Sequence, residues 1–276
     1  EVRLIPPQYV RPFVKTNKND AADAEAICEA VTRPSMRFAP AKSTEQQSVL
    51  MLHRTRQLFV RQRTTLINDL RAHLAEFGIV AGVGRNGLER LLKVIEDGED
   101  DRVPAAARDC LLALRDQLEM VKGQVLDADR HILAWHRSSE VSQRLDDIPG
   151  VGPLIATALV ASVPDPHVFK SGRDLAAWIG LVPKQNSTGG KDRLGHISKA
   201  GNRLARVAMI EAAWLWLRHQ PDSALSQWFH DRTQGQKGRI RRIMIVALAR
   251  KLAIALWRYL ETGLIPEGAI LKSRVR

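Results

Sequence analysis

Apolar residues in the middle of the chain recur at alternating steps of three and four. The seam consists of Leu111, Leu114, Leu118, Val121, Val125, Ala128, Ile132 and Trp135. A heptad pattern held over more than three repeats predicts a long helix of the coiled-coil type. The seam can close against an earlier predicted helix, which runs from Ser43 or Thr44 to Phe77, or against a second protomer. The sequence leaves both arrangements open, although a single seam with charged flanks is more typical of a core hairpin.

The remaining pattern also predicts mostly helices. Residues 2–14 are apolar and β-branched enough for one or two strands, and Asn19 or Asp20 caps a helix that ends near residue 31. Further on, Ser171 is expected to cap a short helix over 173–179, and Ser198 to cap a long helix that carries Trp214 and Trp216. The two tryptophans are two residues apart, and core packing is the favoured interpretation over base stacking.

A glycine turn follows the predicted coiled coil. The segment I-P-G-V-G-P contains Gly150 and Gly152 and precedes an apolar helical run. This pattern is typical of a helix-hairpin-helix module, in which backbone N–H groups at the start of the second helix bind a DNA phosphate without reading bases. The alternative is a glycine turn between two packed helices.

The stretch Gly180 to Arg206 concentrates reactive and charged side chains, with two adjacent hydroxyls, Ser187 and Thr188, among glycines and cations. Ser187 and Thr188 can donate, accept or attack, and the glycines let the backbone approach a ligand. The stretch predicts a phosphate-handling loop that leads into a helix; the alternative is a basic surface loop. The candidate phosphate-binding residues are Thr188, Gly189, Gly190, Lys191, Arg193, Lys199, Arg203 and Arg206.

Charge favours a nucleic-acid partner for this region. Residues 181–276 carry 18 Lys and Arg against 6 Asp and Glu, whereas residues 1–180 are balanced, so the whole net charge of +12 lies in the last third. A one-sided basic region is the electrostatic footprint of DNA or RNA binding. No apolar run is long enough to span a membrane, and Cys28 and Cys110 show no metal-ligand spacing. The sequence therefore indicates a cytoplasmic protein without a membrane partner, structural zinc or disulfide framework.

Two carboxylates open the first predicted helix. Asp20 and Asp23 are three residues apart and so lie on one face of its first turn. Such a pair can share a divalent cation, but acidic residues also favour helix N-termini because they complement the helix dipole.

The order of these motifs resembles a known family. D-A-A-D-A on a helix, a long coiled coil, I-P-G-V-G, G-L-V-P with S-T-G-G-K, and L-G-x-I-S-K-A-G-N are together similar to the IS110 family of insertion-sequence transposases, and most similar to its IS1111 branch. The family is related to the Piv DNA invertase. The resemblance covers nearly the whole chain. It implies a RuvC-like domain with a D-E-D-D metal tetrad, a coiled coil that joins protomers as a dimer or tetramer, a C-terminal serine nucleophile, and a structured guide RNA that bridges donor and target DNA.

Carried over to this chain, the resemblance assigns Ser187 as the nucleophile and Asp20 and Asp23 as the last two acids of a Mg²⁺ or Mn²⁺ site. The first Asp and the Glu of the tetrad are expected upstream of Glu1, so an N-terminally truncated recombinase of a bacterial, nucleoid-associated type is implied. The expected fold is mainly α: a remnant of an α/β RuvC-like domain (1–36), a helical coiled-coil hairpin (40–140), an all-helical C-terminal domain with a helix-hairpin-helix element (141–265) and a basic tail (266–276).

The function expected from residues and resemblance is DNA strand exchange through a serine nucleophile. Ser187 would attack a phosphodiester, while Lys191, Arg193 and Arg206 would stabilise the charge on phosphorus. Two alternatives remain: a helix-hairpin-helix protein that binds nucleic acid without cutting it, and a nuclease of the Holliday-junction-resolvase type that uses metal-bound water.

Overall fold

The computed structural model of the chain describes residues 2–15, 19–163 and 165–272, and these are mainly helical, as predicted. Two compact units are present, residues 1–47 and 48–276, and the boundary falls in the first turn of a long helix. In chain order the helices are α1 Pro7–Val10, α2 Asp20–Thr32, α3 Thr44–Glu76, α4 Arg85–Glu96, α5 Ala105–Ser138, α6 Glu140–Asp146, α7 Pro153–Ser162, α8 Gly172–Ile179, α9 Arg203–His219, α10 Ala224–Thr233 and α11 Arg239–Thr262, and the strands are β1 Pro183–Gln185 and β2 Leu194–Ile197.

The first unit contains α1, a 3-10 turn over Arg11–Phe13, and α2. The prediction of one or two strands over residues 2–14 is wrong, since only an isolated bridge between Leu4 and Ala39 forms there. Proline explains the difference: Pro7 and Pro12 lack the N–H that a sheet needs, and both stand at the first positions of helical turns, where that N–H is not required. The cap of α2 is Asn19, whose Oδ1 accepts from the N–H of Ala22 at 2.7 Å.

The predicted seam is buried within one chain. Leu118 and Ile132 on α5 are fully buried, and Leu118 belongs to the same core as Leu66 and Leu70 of α3 and Leu91 of α4. Of the eight seam residues, only Leu114 and Trp135 keep partial exposure. The seam thus closes as an internal hairpin, which is the arrangement that the pattern favoured.

The helical hairpin is fastened to the C-terminal part of the same unit. His53 Nε2 on α3 and Thr157 Oγ1 on α7 share a buried hydrogen bond of 3.0 Å. Burial lowers the pKa of His53 to about 4, so its ring is neutral at neutral pH. Nearby, Arg56 on α3 forms an ion pair with Asp129 on α5. These contacts join α3 to both α5 and α7.

A second core fills the C-terminal part, where α7, α8, α9 and α11 bury a continuous apolar cluster around Trp216. Its neighbour Trp214 does not pack in the core and is 38% exposed, so the packing interpretation is right for Trp216 and wrong for Trp214. The reason is spacing, because residues two apart on a helix point to different sides. The expectation of an all-helical domain is also wrong, since β1 and β2 form an antiparallel hairpin here.

Residues after α11 return along the C-terminal core. The side chain of Gln220 accepts from the N–H of Ile270 and donates to its carbonyl oxygen, and Lys272 pairs with Asp146. The first part of the predicted basic tail is thus ordered against the core, while residues 273–276 lie outside the described residues. Among the helices that the structure describes, none is both long and apolar enough to cross a membrane.

Candidate functional site

The stretch predicted as a loop is a β-hairpin that projects into solvent. β1 and β2 pair with Gln185 opposite Leu194, and the ladder continues through an Asn186 N–H to Arg193 carbonyl bond of 2.9 Å. Near the tip, Thr188 and Lys191 exchange backbone hydrogen bonds. The two residues between them, Gly189 and Gly190, have φ values of +55° and +74°. Positive φ at both central residues is the requirement of a type I′ turn, which explains the Gly-Gly pair.

This register places Ser187 directly opposite Asp192. The neighbouring pairs are hydrogen-bonded, so Ser187 and Asp192 form a non-hydrogen-bonded pair, in which cross-strand side chains are closest. The Ser187 hydroxyl donates to Asp192 Oδ1 at 2.9 Å, and Gln185 Nε2 donates to Ser187 Oγ at 3.0 Å. Gln185 also reaches Asp192 Oδ1 at 3.4 Å. The nucleophile candidate thus has a proton acceptor and a donor beside it on one face.

The other hydroxyl of the hairpin lies on the opposite face. Because strand side chains alternate, Thr188, Lys191 and Arg193 point away from the face that carries Ser187. All three are exposed, and neither cation makes an ion pair with another described residue. The hairpin therefore presents a hydroxyl–carboxylate face and a cationic face.

Two glycines and one arginine fix the base of the hairpin. Gly180 ends α8 with φ of +82°, and a Cβ there would collide with the backbone of Ala200; a Cβ on Gly201 would collide with the carbonyl oxygen of Trp178. Arg206 Nη1 donates to the carbonyl oxygens of Ile179 (2.7 Å) and Ala200 (2.9 Å). Burial lowers the pKa of this guanidinium, and Arg203 adds to the effect. Arg206 thus holds the backbone of the hairpin base.

The helix that follows begins later than predicted. Ser198 is not its cap; Asn202 is, with Oδ1 accepting from the N–H groups of Leu204 (2.8 Å) and Ala205 (3.3 Å). The chain between them stays non-helical because Lys199 and Gly201 both adopt positive φ. Lys199 is consequently exposed beside the hairpin, and Arg203 is exposed in the first turn of α9.

The glycine turn between α6 and α7 packs tightly against α9. Gly150 has φ of +100°, and an added Cβ would lie 3.1 Å from the backbone nitrogen of Trp216. Gly152 is the N-cap residue of α7. Close helix packing therefore accounts for Gly150, which agrees with the packed-turn alternative, and phosphate binding by this turn stays a prediction.

Asp20 and Asp23 lie in the first turn of α2, in the first unit, as the pattern predicted. Their carboxylates are the hard oxygen donors that Mg²⁺ and Mn²⁺ prefer, so they fit such a cation as two of its ligands. Within the described residues, no group of three or more His, Cys, Asp or Glu side chains is arranged to hold a metal ion. The pair is therefore a partial donor set.

Sequence reasoning missed Asp192 and Gln185 as members of the site. A signal for both was present, since a Gly-Gly turn at 189–190 fixes the pairs 188–191, 187–192 and 185–194 once a hairpin is assumed. A loop, by contrast, has no such register. Lys184 on β1 is a further exposed cation of the hairpin.

Comparisons with known proteins agree on the kind of protein that carries this site. A family model described as the transposase IS116/IS110/IS902 family matches residues 142–228, and a DEDD-type transposase model matches residues 1–79. The chain is 43% identical over 266 residues to a putative transposase of Sinorhizobium fredii, covering 95% of this chain and 67% of the relative. It is 44% identical over 263 residues to a probable family 20 transposase of Pseudomonas aeruginosa (94% and 77% covered). It is 39% identical over 260 residues to the transposase for insertion sequence element IS1111A of Coxiella burnetii (94% and 71% covered).

Proposed function

Because the chain belongs to the IS116/IS110/IS902 family of transposases, we propose that it exchanges DNA strands for an insertion sequence with Ser187 as nucleophile. The observation that supports this assignment is the hydrogen bond from Ser187 to Asp192 on an exposed hairpin. Serine is a weak nucleophile until a base takes its proton. Asp192 Oδ1 lies 2.9 Å from Ser187 Oγ, which is close enough for this carboxylate to act as the base. A serine–DNA adduct that survives denaturation is the test.

In the proposed step, Ser187 Oγ attacks a phosphodiester phosphorus. The Oγ–P bond forms, the bond from phosphorus to one deoxyribose oxygen breaks, and the serine proton moves to Asp192 Oδ1. The leaving oxygen takes a proton from water and becomes a free hydroxyl. The phosphoserine conserves the phosphodiester bond energy, so a deoxyribose hydroxyl from another strand can displace the serine. In that step the new O–P bond forms and the attacking hydroxyl gives its proton to water, while the Oγ–P bond breaks and Asp192 returns its proton to Ser187 Oγ.

Gln185 acts as a positioning residue in this scheme. Its Nε2 donates to both Ser187 Oγ and Asp192 Oδ1, and this bridge keeps the hydroxyl within reach of the carboxylate. The donor also favours the negative charge that develops on Oγ as the proton leaves.

Replacing Asp192 with asparagine tests the base. Asparagine preserves size and accepts a hydrogen bond but takes no proton, so adduct formation should slow by about 10²–10⁴-fold, the usual contribution of a general base. Single-turnover kinetics on radiolabelled DNA measure the rate. As a control, Gln185→Ala removes only a positioning donor and should slow the reaction less. An Asp192→Asn protein that forms adduct at the normal rate would show that Asp192 only orients the hydroxyl.

Nucleic-acid binding in this proposal uses cations around the hairpin. Lys191 and Arg193 lie on the face opposite Ser187, whereas Lys199 and Arg203 lie near its base. A two-stranded ribbon has the dimensions to enter a groove of a duplex. Inserted there, the hairpin would place Ser187 against one strand and its cationic face against the other. Phosphate contacts of this kind position the protein without selecting a sequence.

Binding should weaken steeply as salt rises. The slope of log affinity against log salt is about −0.9 for each phosphate that a cation neutralises on duplex DNA, so Lys191→Ala combined with Arg193→Ala should reduce its magnitude by about two. Fluorescence anisotropy with a labelled duplex at several salt concentrations measures the slope. Lys122→Ala is a matched control, because Lys122 pairs with Glu119 on α5, far along the chain from the hairpin. Equal slopes in the wild type and the double variant would contradict hairpin contacts.

The resemblance to this family also motivates several proposals that complete the function. Asp20 and Asp23 would give two carboxylate ligands to Mg²⁺ or Mn²⁺, which supplies Lewis-acid stabilisation of phosphodiester oxygens when bound. Gly150 and Gly152 would offer backbone N–H groups to a phosphate. A structured guide RNA would select the DNA sites, and a dimer or tetramer in the bacterial cytoplasm would perform the exchange.

A further inference from the structure

The surface formed by Trp214 on α9 and by the start of α11 has no role in the site described above. Trp214 is 38% exposed on α9, and the guanidinium of Arg241 lies 5.1 Å from the centre of its ring. Trp216, two residues later, is fully buried. The guanidinium of Arg241 covers the Trp214 ring as a cation–π pair, and this pair stands at the surface because both side chains are exposed.

The turn that precedes α11 and its first helical turn are strongly basic. Residues 234–242 contain four cations and no acidic residue. Lys237, Arg239, Arg241 and Arg242 are exposed, and none of them forms an ion pair with another described residue. Arg239 and Arg242 are three residues apart on one helix, where like charges repel. The local charge is therefore unfavourable in the isolated chain and becomes favourable against a polyanion.

We propose that Trp214, Lys237, Arg239, Arg241 and Arg242 form a second nucleic-acid surface, the Trp214 surface, which binds unpaired nucleotides. An unpaired base stacks on the exposed guanidinium that the Trp214 ring supports, while the flanking phosphates contact the other cations; bases stack on both aromatic rings and arginine planes in such sites. A duplex presents its phosphates but keeps its bases stacked inside, so it gains from the cations alone. The preferred ligand is therefore a single-stranded segment of RNA or DNA.

The hairpin is less suited to this recognition. Between residues 183 and 197 the sequence has no Trp, Tyr or Phe, and the imidazole of His196 is a smaller stacking surface than an indole. A second copy of the chain is also a poor occupant of the Trp214 surface, because a self-complementary contact would bring like charges together. The proposal rests on the chain handling nucleic acid and is independent of Ser187 acting as a nucleophile.

The experiment compares binding of a single-stranded oligonucleotide and of a duplex of equal length to the whole protein. Trp214→Ala should weaken single-strand binding by about tenfold or more, the range expected for the loss of one base–aromatic stack, and should change duplex binding by less than about twofold. Trp214→Phe keeps an aromatic face and should restore most of the single-strand affinity. Arg218→Ala, which removes an exposed cation one helical turn from Trp214, is the charge control and should weaken both ligands slightly and equally.

The single-stranded ligand is tested both as RNA and as DNA of the same sequence, which shows which of the two the surface prefers. A loss of affinity for either one in Trp214→Ala supports the proposal. The proposal would be overturned if Trp214→Ala lost affinity equally for single strand and duplex, or if its affinity for both were unchanged. A change in oligomeric mass of this variant, measured by light scattering, would also overturn it. Melting curves confirm that the variants remain folded. Ser187→Ala should leave the single-strand affinity intact, so failure of the nucleophile assignment and failure of this proposal give different results.

Discussion

Ser187→Ala is expected to abolish the covalent protein–DNA adduct and strand exchange while leaving DNA affinity nearly unchanged. The loss should be about a thousandfold or more, because no other hydroxyl on that face of the hairpin has a carboxylate beside it. Affinity should persist because the substitution removes one neutral hydroxyl and leaves every cation of the hairpin in place. Denaturing gels of labelled DNA measure the adduct, and anisotropy measures the affinity.

Thr188→Ala is the matched control for this experiment. Thr188 is the adjacent residue and carries the same functional group, but strand alternation places it on the opposite face, away from Asp192. Adduct formation should therefore remain close to that of the wild type. An adduct that forms normally in Ser187→Ala would refute the nucleophile assignment; cleavage without any adduct would favour a water-using nuclease, and binding without cleavage a non-catalytic binding protein.

Much of the helical framework could be predicted from local signals. The alternation of three and four along α5 gave both the helix and its buried face, and Leu118 and Val121 are indeed core residues. Asn19 and Ser171 stand at predicted cap positions, and each accepts the expected hydrogen bond from the first turn of its helix. Such signals depend on residues within one or two turns of each other, so the sequence displays them directly.

The site was harder to predict because it depends on cross-strand pairing. Asp192 is five residues from Ser187, and only the turn at Gly189 and Gly190 brings the two side chains together. Arg206 looked like a phosphate ligand by type, yet its guanidinium holds backbone carbonyls at the hairpin base. The Ser187–Asp192 pair follows from the turn type once a hairpin is assumed, whereas the partners of Arg206 follow from tertiary contacts that no local pattern displays.

Leu118→Asp is expected to destabilise the helical hairpin strongly, with a loss of about 3–5 kcal/mol. Leu118 is fully buried between α5 and α3, so the substitution leaves a carboxylate without a partner in an apolar core. Thermal unfolding followed by circular dichroism at 222 nm measures the loss. Met120→Asp is the matched control, because Met120 lies two residues away on the same helix and is 63% exposed; its melting temperature should change little.

The same pair of variants decides how the coiled-coil helix takes part in assembly. If the seam closes only within the chain, Leu118→Asp lowers stability, and no folded variant with reduced oligomeric mass appears at low temperature. If protomers join along this helix, the outer face must carry the contact, where Met120, Leu126 and Leu133 are exposed. Leu126→Asp should then lower the mass measured by light scattering without lowering the melting temperature of the monomer. A Leu118→Asp protein that stays fully stable but loses oligomeric mass would contradict the internal seam, because a charge at that position would then disrupt only the contact between chains.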